Sequence, residues 1–209
     1  MPTITRIEPQ KRRPNRRSVY VDGQFAFGCN VNVVARFRLR EGMSLDDEQR
    51  RQIEAGEVRQ EAFDHAMRLI GGRMQTEREL RTKLGRRAHG PAVVDAVIAD
   101  LKRLGYVDDA RLAQTRAADQ ARVKRHGKQR AVQELVKSGV ARPTAERAVA
   151  EAYQGVDPRA AAAEVAAKKA ASLKRLDPLT AKRRLVGFLQ RRGFDYEAVQ
   201  HAVERTLGR

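Results

Sequence analysis

Over the first thirty residues, Ile4, Ile7, Val19, Val21, Phe25 and Phe27 recur at period two among polar side chains, the pattern of strands with one buried face. Asp22-Gly23 separates two of these runs as a two-residue hairpin turn. The pattern predicts a small antiparallel sheet of Ile4–Ile7, Ser18–Val21 and Gln24–Gly28, with both Phe25 and Phe27 on its apolar face. Between the first two strands, Lys11, Arg12, Arg13, Arg16 and Arg17 place five cations in seven residues. That segment reads either as a solvated loop tip or as a phosphate-contacting finger. From Asn30 onward the period becomes helical: Val31, Val34 and Ala35 predict a short helix ending near Arg38, and Ser44 with Asp47 opens another that Gly56 closes.

The rest of the chain repeats itself. Placing Leu84, Leu135 and Leu189 in register gives offsets of 51 and 54 residues, and other apolar positions then align. Leu80, Ala131 and Leu185 stand four residues earlier; His89, Val140 and Phe194 stand five later, with Gly139 and Gly193 just before the last two. The pairs Ala62 and Ala66, Ala113 and Ala117, and Ala167 and Ala171 mark the first helix of each copy. Val94, Ile98 and Leu101, then Ala145, Val149 and Ala152, then Val199, Val203 and Thr206 mark the third. Spacings of 3, 4 and 7 are those of one apolar stripe per helix. Boundary residues agree: Thr76 with Glu79 forms a capping box, Gly90-Pro91, Arg142-Pro143 and Asp157-Pro158 fall at helix starts or links, and Gly139 and Gly193 suit left-handed helix ends. The fold predicted is mainly α, with three tandem three-helix repeats in an elongated array behind a small N-terminal antiparallel β-sheet. The segments are 1–56, 57–109, 110–156 and 157–209. Stacking must supply what a unit of about 50 residues cannot bury alone.

Charge narrows the function. A net +17 over 209 residues calls for a negative partner, nucleic acid or an acidic protein surface. Residues 110–209 carry 22 of the 43 cations but only 10 of the 26 acids, so the partner surface belongs mainly there. No window resembles a membrane span or a signal peptide, which predicts a soluble cytoplasmic protein. Cys29 is the only cysteine, which excludes an internal disulfide and reads as a small core residue. Gly23 and Gly28 have phosphate-loop spacing but Cys29 stands where a lysine is required, and the four histidines show no ligand spacing. Asp108-Asp109 reads as a helix cap. Neither catalysis nor a metal or cofactor is expected.

The cations fall into two sets. Arg86-Arg87, Lys137 and Arg191-Arg192 end the second helix of each copy, where the helix dipole alone favours them. Arg122, Lys124, Arg125, Lys128 and Arg130, then Lys182, Arg183 and Arg184, occupy the linker and start of that helix, where they oppose the dipole and so point to a partner. The chain lacks Trp, and Tyr106, Phe188, Phe194 and Tyr196 read as packing residues, so backbone or protein-surface electrostatics outweighs base reading.

Several stretches resemble a known family, the RecX regulators of the RecA recombinase. They are Arg78-Glu79-Leu80 with Leu84, Leu104-Gly105-Tyr106-Val107-Asp108-Asp109 running into Arg111-Leu112-Ala113, and Lys182-Arg183-Arg184-Leu185 through Arg192-Gly193-Phe194. Ile4 with Ile7, Ser18 to Gly23 and Glu41-Gly42-Met43 are similar to the sheet extension of longer members. The resemblance implies repeats that lie in the helical groove of the RecA filament on DNA, limiting its growth and damping its ATPase, strand-exchange and coprotease activities in recombination, repair and the SOS response. It also implies a protein that is monomeric when free. The alternative is an independent, sequence-nonspecific DNA-binding or transcription-regulating helical protein.

Overall fold

The computed structural model describes residues 1–87 and 89–208. Its chain divides into two compact units, Met1–Arg73 with Leu80–Tyr106, and Met74–Glu79 with the chain from Val107 onward.

The first unit opens with three antiparallel strands in the order β1 (Ile4–Gln10), β2 (Arg13–Val21) and β3 (Gln24–Asn30). Asp22 and Gly23 take left-handed backbone (φ 50 and 82), as a tight hairpin with matched twist requires. Ile4, Val19 and Cys29 are buried with Val33, Leu39, Leu45 and Ile53. The strands are longer than their apolar pattern: β2 begins at Arg13, so only Lys11-Arg12 forms the turn. Arg16 does not belong to an exposed finger. It is half-buried, with Nη1 2.6 Å from Glu57 Oε1 and 3.5 Å from Glu61, and it donates to the Gly28 carbonyl.

After α1 (Val31–Arg36), the chain enters α2 (Asp47–Gly72). Ser44 instead bridges Thr3, and Asp46 is the cap, paired with Gln49 in a reciprocal capping box. Gly56 does not end this helix. A Cβ there would lie 2.6 Å from the Phe37 ring, so the glycine is a slot for that side chain in a continuous helix. Glu57 accepts from the Asn30 amide at 2.7 Å, and Asp64 from Asn30 Nδ2 at 3.0 Å, which ties α2 to the end of the sheet. Most of α3 (Glu77–Gly85) and α4 (Pro91–Arg103) complete the unit, with Leu80, Leu84, Val94, Ile98 and Leu101 buried as their spacing requires. Arg59 holds Asp100 at 2.5 Å, and Arg81 pairs with Asp95.

The second unit holds α5 (Asp109–Arg122), α6 (Lys128–Ser138), α7 (Arg142–Ala152), α8 (Pro158–Ala170), α9 (Pro178–Arg191) and α10 (Tyr196–Leu207), together with the first turn of α3. Thr76 and Glu79 cap α3 reciprocally, and Asp108 accepts from the Ala110 and Arg111 amides at the start of α5. Gly139 and Gly193 are left-handed (φ 110 and 82). Leu112, Ala113, Ala117, Ala131, Leu135, Ala145 and Val149 form one core, and Ala162, Ala166, Leu185, Leu189, Phe194, Val199 and Val203 another. Gln114 and Thr115 face solvent and leave the first of these cores intact.

One alignment fails. Ala167 and Ala171 are exposed, and Ala162 and Ala166 are fully buried in their place. Six of the thirteen residues of this helix are alanines before Lys168 and lie on every side of it, and its charges are likewise scattered, so its sequence carries no clear phase. Its buried face is chosen by the neighbouring helices.

Candidate nucleic-acid interface

The basic surface is built where α5 hands over to α6. Val123 to Gly127 form a loop whose backbone is held at several points. The Lys124 and His126 amides donate to Asp119 and Gln120 carbonyls at 3.1 and 3.0 Å. The Tyr153 hydroxyl donates to the His126 carbonyl at 2.7 Å, and Arg192 Nη1 to the Lys124 carbonyl at 2.8 Å. Arg125 is left-handed (φ 51), a conformation that costs a side-chain-bearing residue about 1–2 kcal/mol and persists only where its surroundings impose it.

This loop is one wall of a cleft of about 610 Å³, with α8 and α9 forming the other. Arg122, Lys124, Arg125, Lys168, Lys169 and Arg192 line it. A second cleft of about 540 Å³ shares Lys169 and Phe188 and adds Arg183, Arg184 and Arg191. No carboxylate lines either cleft among the described residues. Asp119 pairs with Lys124 at 3.4 Å, and Glu164 serves both Arg125 and Lys168. Arg122, Arg183, Arg184 and Arg191 have no carboxylate partner among the described residues. Phe188 sits between Lys169 Nζ and the Arg192 guanidinium, 5.6 and 5.3 Å from its ring centre. His126 is held below the usual imidazole range by burial and by Arg192, Arg130 and Lys124, so near neutral pH the ring adds no charge to the cleft.

Only some of these cations stand at helix starts. Arg122 closes α5, where the dipole favours it. Helix α9 starts at Pro178, so Lys182, Arg183 and Arg184 lie beyond its first turn. Lys128 and Arg130 do open α6, but Arg130 pairs with Glu134 at 2.7 Å and Lys128 faces a different cavity, of about 260 Å³. Lys182 lines a separate cleft beside Leu173, Leu179 and Glu204. Arg12, Arg13, Arg16 and Arg17, like Arg86 and Arg87 after α3, belong to the other unit. Lys168 and Lys169 join the cleft unannounced by sequence, because their orientation depends on the phase of α8. Two of the four aromatics read as packing residues, Tyr106 and Tyr196, are exposed. Cys29 is buried in the sheet core, its thiol pushed up to about 12 by burial and by Glu57, and is therefore unreactive. No helix among the described residues is long and apolar enough to cross a membrane.

A small antiparallel sheet leading into successive three-helix bundles, the last two joined around a cation-lined cleft, defines a basic helical-repeat protein. Family models match in order along the chain: the Regulatory protein RecX N-terminal domain over residues 2–46, and the first, second and third three-helix domains of RecX over 62–101, 108–149 and 157–203. The chain is 30% identical to "Regulatory protein RecX" of Leuconostoc citreum over 98% of its own length and 76% of the relative's. It is 28% identical to that of Clostridium acetobutylicum, over 98% and 96%. A crystal structure of regulatory protein RecX superimposes with a TM-score of 0.79 at 22% identity, covering 97% of this chain and 98% of that one. RecX from Lactobacillus salivarius gives 0.59 at 16%, over 72% and 97%. The chain belongs to the RecX family of regulatory proteins.

Proposed function

We propose that this protein is a non-enzymatic cytoplasmic regulator that binds the RecA filament on DNA as a monomer. It limits filament growth and damps ATPase, strand exchange and coprotease activity. The segments 1–56, 57–109, 110–156 and 157–209 act as successive modules, and the cleft between α5, α8 and α9 takes phosphates. The observation that carries this reading is the convergence of Arg122, Lys124, Arg125, Lys168, Lys169, Arg183, Arg184, Arg191 and Arg192 on two contiguous clefts that no carboxylate lines among the described residues. Cations crowded in this way repel one another, and an anion relieves the cost. A phosphodiester chain matches their extended arrangement better than an isolated anion does.

The test is the triple reversal Lys169→Glu, Arg184→Glu and Arg191→Glu, assayed by ATP turnover of preformed RecA filaments at fixed salt. Among the described residues these side chains have no carboxylate partner, so helix content is expected to stay at the wild-type level while inhibition is lost. The log–log salt slope for duplex binding should fall by about 0.9 for each phosphate contact removed. Full inhibition by the folded variant would overturn the assignment. Duplex binding by the wild-type chain with no preference for the filament and no inhibition of its ATP turnover would favour the independent DNA-binding protein instead.

A further inference from the structure

We propose a second nucleic-acid site on the outer face of the N-terminal sheet, where the exposed Phe25 ring stacks an unpaired base beside Tyr20 and Lys11, Arg12 and Arg13 take the adjoining phosphates. The inference does not rest on the filament reading, and its test contains no recombinase.

Its starting point is a side chain on the unexpected face. Strict alternation would put Phe25 beside Phe27 against the core. The β2–β3 ladder instead pairs Val19 with Phe27 and then Tyr20 with Phe25, so that Ala26 is the extra residue of a bulge. A bulge re-aims the side chains beyond it. Phe27 packs against the core while Phe25 is 60% exposed. Phe25 has no hydroxyl through which to hydrate its edge, so this exposure is unfavourable unless something covers the ring.

The surroundings define what would cover it. Arg6, Tyr20 and Phe25 are successive cross-strand neighbours. The Tyr20 and Phe25 rings meet edge to face with centres 6.0 Å apart, and the Arg6 guanidinium lies 4.2 Å from the Tyr20 centre. Glu8 holds that guanidinium at 3.3 Å. Aromatic and guanidinium planes accept bases of any identity. Only an unpaired base can offer its faces to them, since in a duplex those faces are covered by neighbouring base pairs. Charge selects an anionic partner over a basic or neutral protein segment, since residues 1–40 contain nine Lys and Arg but only Glu8 and Asp22 as acids, and the exposed aromatic plane favours a base over an acidic side chain. Along β1, four residue steps separate Arg6 from Gln10, about 13 Å, so the Lys11-Arg12 turn lies within reach of a short single strand whose base is seated on Phe25. Lys11, Arg12 and Arg13 are exposed and have no carboxylate partner among the described residues.

Anisotropy titrations of the full chain with a labelled single-stranded oligonucleotide and with the matching duplex, at one salt concentration, test the site. Phe25→Ala should weaken single-strand binding about tenfold and leave duplex binding unchanged, while Phe25→Trp retains wild-type affinity. Photo-crosslinking with an oligonucleotide bearing 5-iodouracil should place adducts on Phe25 or Tyr20. Undiminished single-strand affinity in Phe25→Ala, which is also the result if the patch docks a protein, overturns the proposal. So do adducts confined to the helical repeats.

Discussion

Replacing Gly127 with alanine adds one methyl group, and the structure makes this small change severe. Gly127 occupies the position before α6 that Ser, Thr or Asp usually fills, and it makes no side-chain cap. A Cβ there would lie 1.9 Å from the Gly193 carbonyl oxygen, 2.2 Å from its carbon and 2.5 Å from the Phe194 nitrogen. All three are backbone atoms, so no rotamer change makes room. The Gly127 amide also donates to the Arg192 carbonyl at 2.8 Å, a hydrogen bond that cannot survive the separation. Losing it costs about 0.5–1.5 kcal/mol, and overpacking a tight contact about 1–3 kcal/mol. Gly127→Ala should therefore destabilise the second unit by about 2–4 kcal/mol in urea unfolding followed by helical circular dichroism. Gly85→Ala, where nothing lies within 4 Å of the added carbon, should change stability by less than about 1 kcal/mol, in the stabilising direction. Arg192 also fixes the cleft loop through Lys124, so the Gly127 variant should lose duplex affinity as well. A Gly127→Ala protein as stable as wild type would refute the view that these two repeats meet backbone to backbone.

Two further outcomes are expected. His126 is depressed below its ordinary value of 6.5 by burial and by Arg192, Arg130 and Lys124, so the unfolded chain binds its proton more readily. The associated stability is present above that pH and lost as pH falls toward the folded value; His126→Gln should reduce the loss between pH 7 and 5.5 in pH-dependent melting, and an unchanged profile would count against the assignment. Leu135 is 1% exposed in the core of α5, α6 and α7, so Leu135→Ala should cost about 2–5 kcal/mol by urea titration.

The repeat frame was legible because it rests on residues whose burial follows from spacing within one helix, such as Leu80 with Leu84 and Leu185 with Leu189. Caps were legible for the same reason, since Thr76 with Glu79 and Asp108 act on amides two or three residues away. What failed was non-local. Gly56 looks like a helix stop until Phe37 is seen to need the space. Arg16 looks like part of a basic finger until Glu57 and Glu61 arrive from α2. Lys168-Lys169 and Lys182-Arg183-Arg184 are short basic runs whose helix faces the sequence does not fix, and which of these cations share a cleft is decided by the packing of α8 and α9. Phe25 leaves its predicted face because of an extra residue in a strand, and a bulge has no signature in a run of alternating residues.

The joint tested by Gly127 has a counterpart one repeat earlier. Thr76 and Gly127 are 51 positions apart, and Ser138 and Arg192 are 54 apart, the offsets that align the helices. The Thr76 hydroxyl donates to the Ser138 carbonyl at 2.6 Å, as the Gly127 amide does to that of Arg192. Each acceptor precedes a left-handed glycine, and each glycine presses on the start of the corresponding helix in the preceding copy: a Cβ on Gly139 would meet Arg78 at 2.5 Å, and one on Gly193 would meet the Arg130 amide at 2.4 Å. The carbonyls exposed at one helix end, which lack partners inside that helix, are thus satisfied by the residue before the corresponding helix of the preceding copy. Arg78 adds to this at the earlier joint by donating to the Val136 and Lys137 carbonyls. Rotation of the third repeat against the second would break a backbone hydrogen bond. The cleft of Arg122, Lys124 and Arg192 therefore lies at a joint where the separation of its cations is set by backbone contact rather than by the ligand.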